Sequence, residues 1–458
     1  MAGRFSISFD ALVSELLAQP RACEAIESAS LVTGITTDTR QVTPGDLFVA
    51  LEGETFNGHD FVAEAIAKGA IAVITRNAAL PTDIAVPRLE VDDTLAAYQA
   101  LSKWWRQQCG LPVVAITGSV GKTTTKELVA AALSLFGSVL KTQANFNNEI
   151  GVPKTLLGVT KAHDYAVVEM GMRGLEEIAL LTQIAQPTVA LITNVGTAHI
   201  GRLGSREAIA QAKCELLREL PAGGIAVLNH DNALLMKTAA QVWSGQVISY
   251  GLEGGDVRGQ IVADCVQVDG VEIPMPLPGR HNALNLLGAI ATLKALDLDW
   301  KKLASGFTVS MPSGRSEFHK LPNDITFLDE TYNAGFEAMV AAIQLLADQP
   351  GKRRIAVLGT MKELGGQSVE LHRQVGEAIA QQGVDQLLTL ADPAEAKAMA
   401  EGAGDVPSQQ FESHGALAKH LADMMLEGDR ILFKASRSVA MDKVVKQLVV
   451  KQLPEKTD

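Results

Sequence analysis

The stretch Val113–Val129 reads Val-Val-Ala-Ile-Thr-Gly-Ser-Val-Gly-Lys-Thr-Thr-Thr-Lys-Glu-Leu-Val. Its first four residues form an apolar run that is long enough for a buried strand and too short for a helix. A turn of small residues follows, Gly118–Gly121, and Lys122 and Thr123 then open a helix with apolar residues at helical spacing. This order of strand, glycine turn and helix is the context that a phosphate-binding loop requires. The backbone N–H groups at the start of such a helix favour an anionic phosphate.

The loop predicts an ATP site with magnesium. The Lys122 ammonium would reach the β- and γ-phosphates, and the Thr123 hydroxyl would bind Mg²⁺. The general pattern has a glycine five positions before Gly121, where Ile116 stands, so this is the tighter Thr-Gly-x-x-Gly-Lys-Thr form. A chance glycine-rich turn is the alternative. The predicted ATP-binding residues are Thr117, Gly118, Ser119, Val120, Gly121, Lys122, Thr123 and Thr124.

Length and composition set limits on the whole chain. Its 458 residues predict two to four domains. The net charge of −12 argues against nucleic acid as a partner, because neutralising phosphates needs basic surfaces. The sequence has no apolar run long enough to span a membrane and no secretory signal pattern, which predicts a soluble cytoplasmic protein. The cysteines have no paired spacing, so they are expected to be reduced thiols: Cys23, Cys109, Cys214 and Cys265.

Two polar residues near strand ends downstream of the loop are candidate metal ligands. Glu169 lies near the end of the apolar run Tyr165–Met170, where the magnesium ligand of a nucleotide site is found. His199 lies just past a second run, Val189–Thr193. Beside a metal it would be a ligand or a positioning group; otherwise a packed or surface histidine is the ordinary explanation. Three asparagines within residues 145–148 predict a structured loop, taken to run to Pro153.

Lys213 stands out in the segment Ser205–Leu220, which begins with a good N-cap, Ser205. The lysine falls inside the apolar stripe of the predicted helix instead of on its polar face. Burial of a lysine costs several kcal/mol unless it finds an anion or loses its charge. Lys213 therefore either extends its ammonium to the helix edge or serves chemistry. One chemical option is reaction with carbon dioxide to a carbamate, which could bind a metal.

The regions on either side of the ATP site also alternate strands and helices. Residues 1–107 contain two polar loops beside strands, 36–40 and 53–60, which are either ligand loops or ordinary turns. Residues 313–458 predict a parallel α/β sheet with polar clusters after its strands, at 329–333, 363–365 and 434–437. Lys434 and Arg437 of the last cluster suit a carboxylate or phosphate ligand. The alternative is that the clusters are solvated loops. Pro312–Arg315 is a predicted hinge.

This ordered set of motifs resembles the Mur ligases of peptidoglycan synthesis over essentially the whole chain. The residues that carry the resemblance are Thr37–Arg40, Leu47–Leu51, Thr117–Thr123, Asn145–Pro153, Ala198-His199, Ala212-Lys213, Gly279–Asn285, Gly314-Arg315, Tyr332–Ala334, Met361–Gly365 and Lys434–Arg437. The family's Asp-Asn-Pro-Arg motif, typical of the member that adds a single third amino acid, is absent. The chain also has Gly201, Gly335-Phe336, Thr360 and Ala435 where the family usually differs.

The resemblance implies an α/β fold of three domains. A UDP-sugar-binding domain (1–107) and a Rossmann-like C-terminal domain (313–458) that binds a dipeptide would flank a central ATP- and magnesium-binding domain with a parallel sheet (108–312). The implied metal ligands are Thr123, Glu169, His199 and Lys213 as a carbamate formed with carbon dioxide. The implied catalytic residues are Lys122, His199, Lys213 and Arg315, with Asn282, Asn285 and Arg315 at ATP. The implied substrate-binding residues are Thr37, Asp38, Thr39, Arg40, Asn145, Asn148, Tyr332, Asn333, Lys434, Ser436 and Arg437.

The implied reaction is ATP-dependent amide-bond formation between small molecules, UDP-N-acetylmuramoyl-tripeptide and D-alanyl-D-alanine, by a monomer. Three alternatives stay open. The chain could be a sibling ligase, including one of folate polyglutamate type. It could be a UDP-sugar or nucleotide-binding regulator without catalysis, which would hold ATP without releasing phosphate. It could also be a nucleotide-driven motor or transporter subunit, whose ATPase activity would need no amino-acid acceptor.

Overall fold

The structure is a computed structural model that describes residues 6–16, 19–21, 31–76 and 86–452. Within these ranges the chain forms three α/β units that follow one another in sequence, each built on its own sheet. The predicted α/β class with three domains is confirmed. Cys23 lies outside the described residues, whereas Cys109, Cys214 and Cys265 are free thiols. No helix in the described ranges is long and apolar enough to cross a bilayer.

The first unit has a five-stranded sheet of order β2-β7-β6-β5-β4, which is parallel except for the β2–β7 pair. Its elements are β1 (Ile7–Ser8), α1 (Phe9–Leu16), β2 (Gln19–Arg21), β3 (Leu31–Val32), β4 (Gly34–Thr36), β5 (Asp46–Val49), α2 (Val62–Ala67), β6 (Ala72–Arg76), β7 (Arg88–Val91) and α3 (Thr94–Cys109). Helix α3 connects this unit to the next, and its Trp105 indole donates to the Val159 carbonyl at 2.9 Å.

The central unit has a nine-stranded sheet of order β16-β15-β14-β13-β12-β11-β8-β10-β9. The strands from β8 to β14 run parallel, and β15 and β16 extend one edge in antiparallel fashion. Its elements are β8 (Val113–Thr117), α4 (Lys122–Leu133), β9 (Val139–Lys141), α5 (Gly151–Leu157), β10 (Tyr165–Glu169), α6 (Glu177–Ala185), β11 (Val189–Ile192), α7 (Ile200–Leu203), α8 (Arg206–Arg218), β12 (Ile225–Asn229), α9 (Ala233–Val242), β13 (Val247–Gly251), β14 (Val257–Val262), β15 (Cys265–Val268), β16 (Val271–Pro274) and α10 (Arg280–Ala295).

The order of this sheet places the functional loops side by side. Strand β8 lies between β10 and β11, with Ile116 paired to Glu169 and Thr117 paired to Ile192. The carboxyl ends of three neighbouring parallel strands therefore meet at one edge. In open α/β sheets ligands bind at this edge.

The third unit has a six-stranded sheet of order β17-β18-β22-β19-β20-β21, which is parallel apart from the β17–β18 hairpin. Its elements are β17 (Glu317–Leu321), β18 (Ile325–Asp329), α11 (Phe336–Ala347), β19 (Arg353–Gly359), α12 (Ser368–Gln381), β20 (Gln386–Leu390), α13 (Pro393–Ala403), β21 (Ser408–Gln410), α14 (His414–Met424), β22 (Asp429–Lys434) and α15 (Asp442–Gln452). The strands predicted from the apolar runs at 325–328, 355–358, 386–390 and 431–433 are present as β18, β19, β20 and β22.

One predicted boundary was wrong. The asparagine loop was expected to continue to Pro153, but α5 already begins at Gly151. Proline is tolerated there because the N–H groups of the first helical turn have no partner within the helix. The Asn148 side chain accepts the Gly151 N–H at 2.9 Å, so the last asparagine of the cluster stabilises the start of that helix.

Candidate active site

A cavity of about 1310 Å³ lies between the central and C-terminal units. Both sides contribute polar loops that follow parallel strands. Its lining includes Ser119–Thr124, Asn145–Glu149, Glu169, His199, Asn285, Gly314–Ser316, Glu330, Tyr332–Gly335, Lys362–Leu364, Lys434 and Ser436–Ser438. The three polar clusters predicted after the C-terminal strands therefore meet the phosphate loop in one place.

The phosphate loop is held tightly by the loop after β11. The Val120 N–H donates to the Asn194 side chain at 3.0 Å, and the Thr193 hydroxyl donates to the Val120 carbonyl at 2.6 Å. A side chain at Gly118, where φ is +151°, would meet the Thr193 hydroxyl oxygen at 1.9 Å. The conformation of the loop therefore requires glycine at position 118. Without a side chain there, the backbone N–H groups of the loop stay accessible to a ligand.

Lys122 folds back over its own loop. Its ammonium donates to the carbonyls of Gly118 at 2.7 Å and Ser119 at 3.2 Å. Burial lowers its pKa, and the Glu169 carboxylate opposes that shift. The predicted neighbour Thr117 lies outside the cavity lining and donates its hydroxyl to the Met170 carbonyl.

Glu169 has the properties of a metal ligand. Its side chain is buried, and its Oε1 accepts a hydrogen bond from the Asn147 amide at 2.8 Å. Its Oε2 is buried without a hydrogen-bond partner among the described residues. A buried anionic oxygen without a partner is costly. The residues at this point therefore fit a hard divalent cation such as Mg²⁺, with Thr123 on the neighbouring helix start.

Lys126 was not among the predicted site residues. It is 1% exposed, and its ammonium donates to the Thr142 carbonyl at 2.9 Å, contacts Glu127 at 2.9 Å and lies 4.0 Å from Glu169 Oε2. It thus supplies positive charge beside the unpartnered oxygen. Its position four residues after Lys122 places both lysines on one face of α4, and this spacing could have revealed it.

His199 lies at the junction of the two units. It precedes α7 with a positive φ of 67°, and its Nδ1 is 2.6 Å from Oε2 of Glu363 in the C-terminal unit. The Gly201 N–H donates to the Glu363 carbonyl at 3.1 Å. A side chain at Gly201 would meet the Gly365 nitrogen at 2.5 Å, so the departure from the family pattern at this position permits the close approach. Burial lowers the pKa of His199, and Glu363 opposes that shift.

Lys213 is buried in the middle of α8, so its ammonium does not extend to the helix edge, which was one of the two alternatives. It does not line the cavity. Burial lowers its pKa well below the usual value, and the Lys122 cation lowers it further. Ser205 caps the helix as predicted, accepting the Ala208 N–H at 3.1 Å.

Two arginines of the C-terminal unit contact one aromatic ring. The Arg315 guanidinium carbon lies 3.9 Å from the centre of the Tyr332 ring, and that of Arg437 lies 5.2 Å from the same centre. Arg437 also donates to the Tyr332 hydroxyl at 3.2 Å. The Arg315 Nε is buried with no hydrogen-bond partner among the described residues. The ring thus holds two cations at the cavity wall.

Lys434 is buried beside these arginines. Its ammonium donates to the Asn333 carbonyl at 3.1 Å and lies 3.7 Å from Oε2 of Glu330. Burial is the main reason that its pKa is lowered. Ser436 accepts the Lys362 N–H at 2.9 Å and so connects the loops after β22 and β19. Glu330, the partner of Lys434, was not predicted to have a role of its own.

The predicted asparagines differ in their placement. Asn285 lines the cavity, accepts the Thr125 hydroxyl at 3.1 Å and donates to Asn282 at 3.2 Å. Asn282 is 2% exposed, lies outside the lining and donates to the Pro278 carbonyl. Asn145 and Asn148 both line the cavity.

The predicted substrate loop Thr37–Arg40 lies outside this cavity. Asp38 caps the short 3₁₀ turn Thr39–Gln41 and pairs with the exposed Arg40, which lowers its pKa to about 2. In the second polar loop His59 is buried and bonded on both nitrogens, to Asn57 and to the Arg76 N–H. These contacts give both loops fixed shapes.

Comparisons with known proteins agree with this arrangement. Three family models match in order: "Mur ligase family, catalytic domain" over residues 31–105, "Mur ligase middle domain" over 116–293, and "Mur ligase, glutamate ligase domain" over 314–437. The chain is 53% identical over 418 residues to UDP-N-acetylmuramoyl-tripeptide--D-alanyl-D-alanine ligase of Synechocystis sp., covering 91% of this chain and 92% of that protein.

Solved structures of Mur ligases are also similar to this chain over nearly its whole length. The crystal structure of MurF from Acinetobacter baumannii superimposes with a TM-score of 0.89 at 31% identity, covering 98% of this chain and 100% of that one. MurF of Thermotoga maritima in complex with ADP superimposes with a TM-score of 0.79 at 31% identity, covering 92% and 97%.

Proposed function

The chain belongs to the Mur ligase family, and from this premise we propose that it joins UDP-N-acetylmuramoyl-tripeptide to D-alanyl-D-alanine at the expense of ATP. The products are the amide, ADP and phosphate, and the reaction serves peptidoglycan precursor synthesis. The observation that carries the proposal is the single cavity in which the phosphate loop faces Arg315, Lys434 and Arg437. Two anionic substrates and ATP need such a set of cations.

The first step is phosphoryl transfer. An oxygen of the tripeptide's terminal carboxylate attacks the γ-phosphorus of ATP, the bond to the β-phosphate oxygen breaks, and an acyl phosphate and ADP result. Lys122 and the loop N–H groups neutralise charge on the transferred group, and Arg315 approaches the phosphates from the other side. Asn282 and Asn285 are assigned to the adenine side. Catalysis here is mostly positioning and charge stabilisation.

The second step forms the amide. The dipeptide's amine attacks the acyl carbon, a tetrahedral intermediate forms, and phosphate leaves while the nitrogen loses a proton. Tyr332, Asn333, Lys434, Ser436 and Arg437 are assigned to the dipeptide, whose carboxylate suits the two cations. Asn145 and Asn148 are assigned to the precursor peptide. Closure of the C-terminal unit around Pro312–Arg315 would keep water from the acyl phosphate.

Magnesium would be held by Thr123, Glu169, His199 and Lys213 as a carbamate. When bound, Mg²⁺ neutralises charge on the phosphates. The Glu169 oxygen that lacks a partner supports this assignment. For Lys213 the support is its lowered pKa, because a neutral amine can attack carbon dioxide. The N–C bond forms, an electron pair moves to oxygen and one proton leaves, so that a buried neutral amine becomes an anion near Lys122.

Each of the three units would bind a different ligand. We assign UDP-sugar binding to residues 1–107 through Thr37, Asp38, Thr39 and Arg40, ATP and magnesium to residues 108–312, and the dipeptide to residues 313–458. We also propose that the enzyme acts as a monomer in the cytoplasm, in keeping with the free thiols of Cys109, Cys214 and Cys265.

The test is phosphate release from ATP with Mg²⁺ and defined acceptors. We expect release only when UDP-N-acetylmuramoyl-tripeptide and D-alanyl-D-alanine are both present. Release with a shorter precursor and a single amino acid would assign the chain to a sibling ligase. ATP binding without release under any combination, or release that needs no acceptor, would contradict the proposal.

A further inference from the structure

Three side chains with metal-binding atoms converge on one face of the β17–β18 hairpin: Glu317, His319 and Asp329. One ligand atom from each lies within 4.8 Å of the others, and the described residues contain no second group of three His, Cys, Asp or Glu that meets this spacing. We propose that this cluster binds a divalent transition metal, for which zinc is the best fit. The inference does not depend on the proposed ligase function.

The hairpin register fixes the three positions. Glu317 pairs directly with Asp329 across the antiparallel ladder, so both side chains point to the same face. His319 follows two residues after Glu317 on β17 and therefore shares that face. Because paired strands hold all three Cα atoms, little conformational entropy is lost when a metal binds.

The distances suit ligands of a shared ion better than a hydrogen-bonded network. His319 Nε2 lies 3.7 Å from Oε1 of Glu317 and 3.6 Å from Oδ2 of Asp329. This nitrogen is buried and has no hydrogen-bond partner among the described residues. Two ligands that each bind tetrahedral zinc at about 2.0–2.1 Å lie about 3.4 Å apart. Small side-chain adjustments would thus bring the three atoms onto one ion.

The outer oxygens of both carboxylates are already engaged. Oδ1 of Asp329 accepts the Thr331 hydroxyl at 2.6 Å and the Thr331 N–H at 3.0 Å. Oε2 of Glu317 accepts the Gly314 N–H at 3.2 Å. Such second contacts orient metal ligands and strengthen metal sites. They leave Oε1 of Glu317 and Oδ2 of Asp329 directed at the histidine.

The donor set selects the class of metal. One imidazole and two carboxylates favour zinc or a neighbouring first-row ion, whereas Mg²⁺ and Ca²⁺ prefer oxygen ligands alone. The Glu317 side chain is 41% exposed and that of His319 23% exposed, so an ion can enter from solvent. Gly314 and Thr331 flank Arg315 and Tyr332, so a bound ion would also restrain the cavity wall.

The experiment is a zinc titration of the full-length, metal-stripped protein against a chromogenic chelator. Saturating Mg²⁺ and ADP occupy the nucleotide site. Glu317→Gln and His319→Gln are each compared with the control His230→Gln, whose histidine lies 3.7 Å from Asp231 but belongs to no group of three. We expect one zinc site that weakens at least about tenfold in both test variants and is unchanged in the control.

A second readout identifies the ligands. Co²⁺ in place of zinc should give visible absorption bands in the wild type and the control, and both test variants should lose them. Thermal unfolding verifies that each variant folds. If His319→Gln does not fold, the comparison of Glu317→Gln with the wild type and the control tests the proposal. If the wild type bound no zinc, or if all variants bound it with equal affinity, the proposal would be overturned. The cluster would then be an ion pair between a charged histidine and two carboxylates.

Discussion

Oε2 of Glu363 lies 2.6 Å from Nδ1 of His199, although the two residues belong to different units of the chain. The contact joins the loop after β19 to the edge of the central sheet at which the phosphate loop lies. The Gly201 N–H bond to the Glu363 carbonyl supports it. Glu363 therefore places its carboxylate, as an ion-pair partner from the other unit, beside a histidine that lines the cavity.

Replacing Glu363 by glutamine should reduce kcat about tenfold, because partners that orient a functional histidine typically contribute 10- to 100-fold. The pKa of His199 should also fall, since Glu363 is the group that raises it. Steady-state phosphate release across pH measures both effects. Glu427→Gln, at an exposed ion pair with Lys352, is the control. An unchanged rate and pH profile in Glu363→Gln would show that the contact has no role in turnover.

Alanine at Lys122 should lower kcat by a factor of at least about 10²–10³, since removing one preorganised group that stabilises transition-state charge has that effect. Its ammonium lies over the phosphate loop, bonded to Gly118 and Ser119 carbonyls that ATP would replace as partners. Phosphate release under saturating substrates measures the loss, and Lys301→Ala, an exposed lysine, serves as control. Wild-type rates in Lys122→Ala would contradict the assignment of this segment as a phosphate-binding loop.

The local pattern of the sequence was sufficient to predict the strands and the phosphate loop. Val113–Thr117 is a buried run next to a turn that only glycine can form, and Ser205 marks the start of α8. Helical spacing alone predicted that Lys213 lies on the apolar stripe of α8, but it left open whether the ammonium extends to the helix edge. These features depend on residues close together in the chain, where spacing determines which side chains share a face.

Contacts between distant segments could not be predicted in this way. The Glu363–His199 contact joins residues 164 positions apart (363 − 199), and no periodicity relates them. The contacts of Lys126 could not be predicted either, because its partners include Thr142, just after β9, and Glu169, at the end of β10. The Thr37–Arg40 loop was recognised as polar, but the sequence pattern does not reveal whether a ligand binds there. In the structure Asp38 and Arg40 of this loop bond to each other.

Lys213 should carry a carbamate in bicarbonate-containing buffer. Its pKa is lowered by burial and by Lys122, which favours the neutral amine that reacts with carbon dioxide. Protein equilibrated with ¹³C-labelled bicarbonate should show one carbamate resonance by NMR, and Lys213→Arg should lose it. The exposed Lys301→Ala variant should retain the resonance. A spectrum without it, in protein that turns over normally, would contradict the assignment.

His372 should make stability depend on pH. Its Nε2 accepts the Met361 N–H at 2.9 Å and its Nδ1 donates to the Ser368 carbonyl, so the buried ring is neutral. Burial lowers its pKa in the folded state below the usual 6.5. The unfolded chain therefore binds more protons just below pH 6.5, and the free energy of unfolding decreases as pH falls through that window, by about 1.4 kcal/mol per unit of pKa depression.

Urea unfolding at about pH 5 and about pH 7.5 measures this dependence. His372→Gln should make it smaller, since glutamine keeps a hydrogen-bonding group and does not titrate. Burial also lowers the pKa values of His59, His199 and His281, so these histidines contribute slopes of the same sign and remain in the variant. An equally steep dependence in wild type and His372→Gln would show that His372 is not the group responsible.

Tyr332 offers the clearest test of how the cavity wall is built, because its ring and its hydroxyl have separate partners. The ring contacts both Arg315 and Arg437, whereas the hydroxyl accepts only from Arg437. Cation–π contacts contribute about 0.5–2 kcal/mol each, and an exposed hydrogen bond contributes less. Tyr332→Leu should therefore lower kcat/KM for both ATP and the dipeptide about tenfold. Tyr332→Phe should raise KM for the dipeptide by less than about threefold and leave KM for ATP unchanged. If phenylalanine were as damaging as leucine, the hydroxyl and not the stacked ring would be what positions the two arginines.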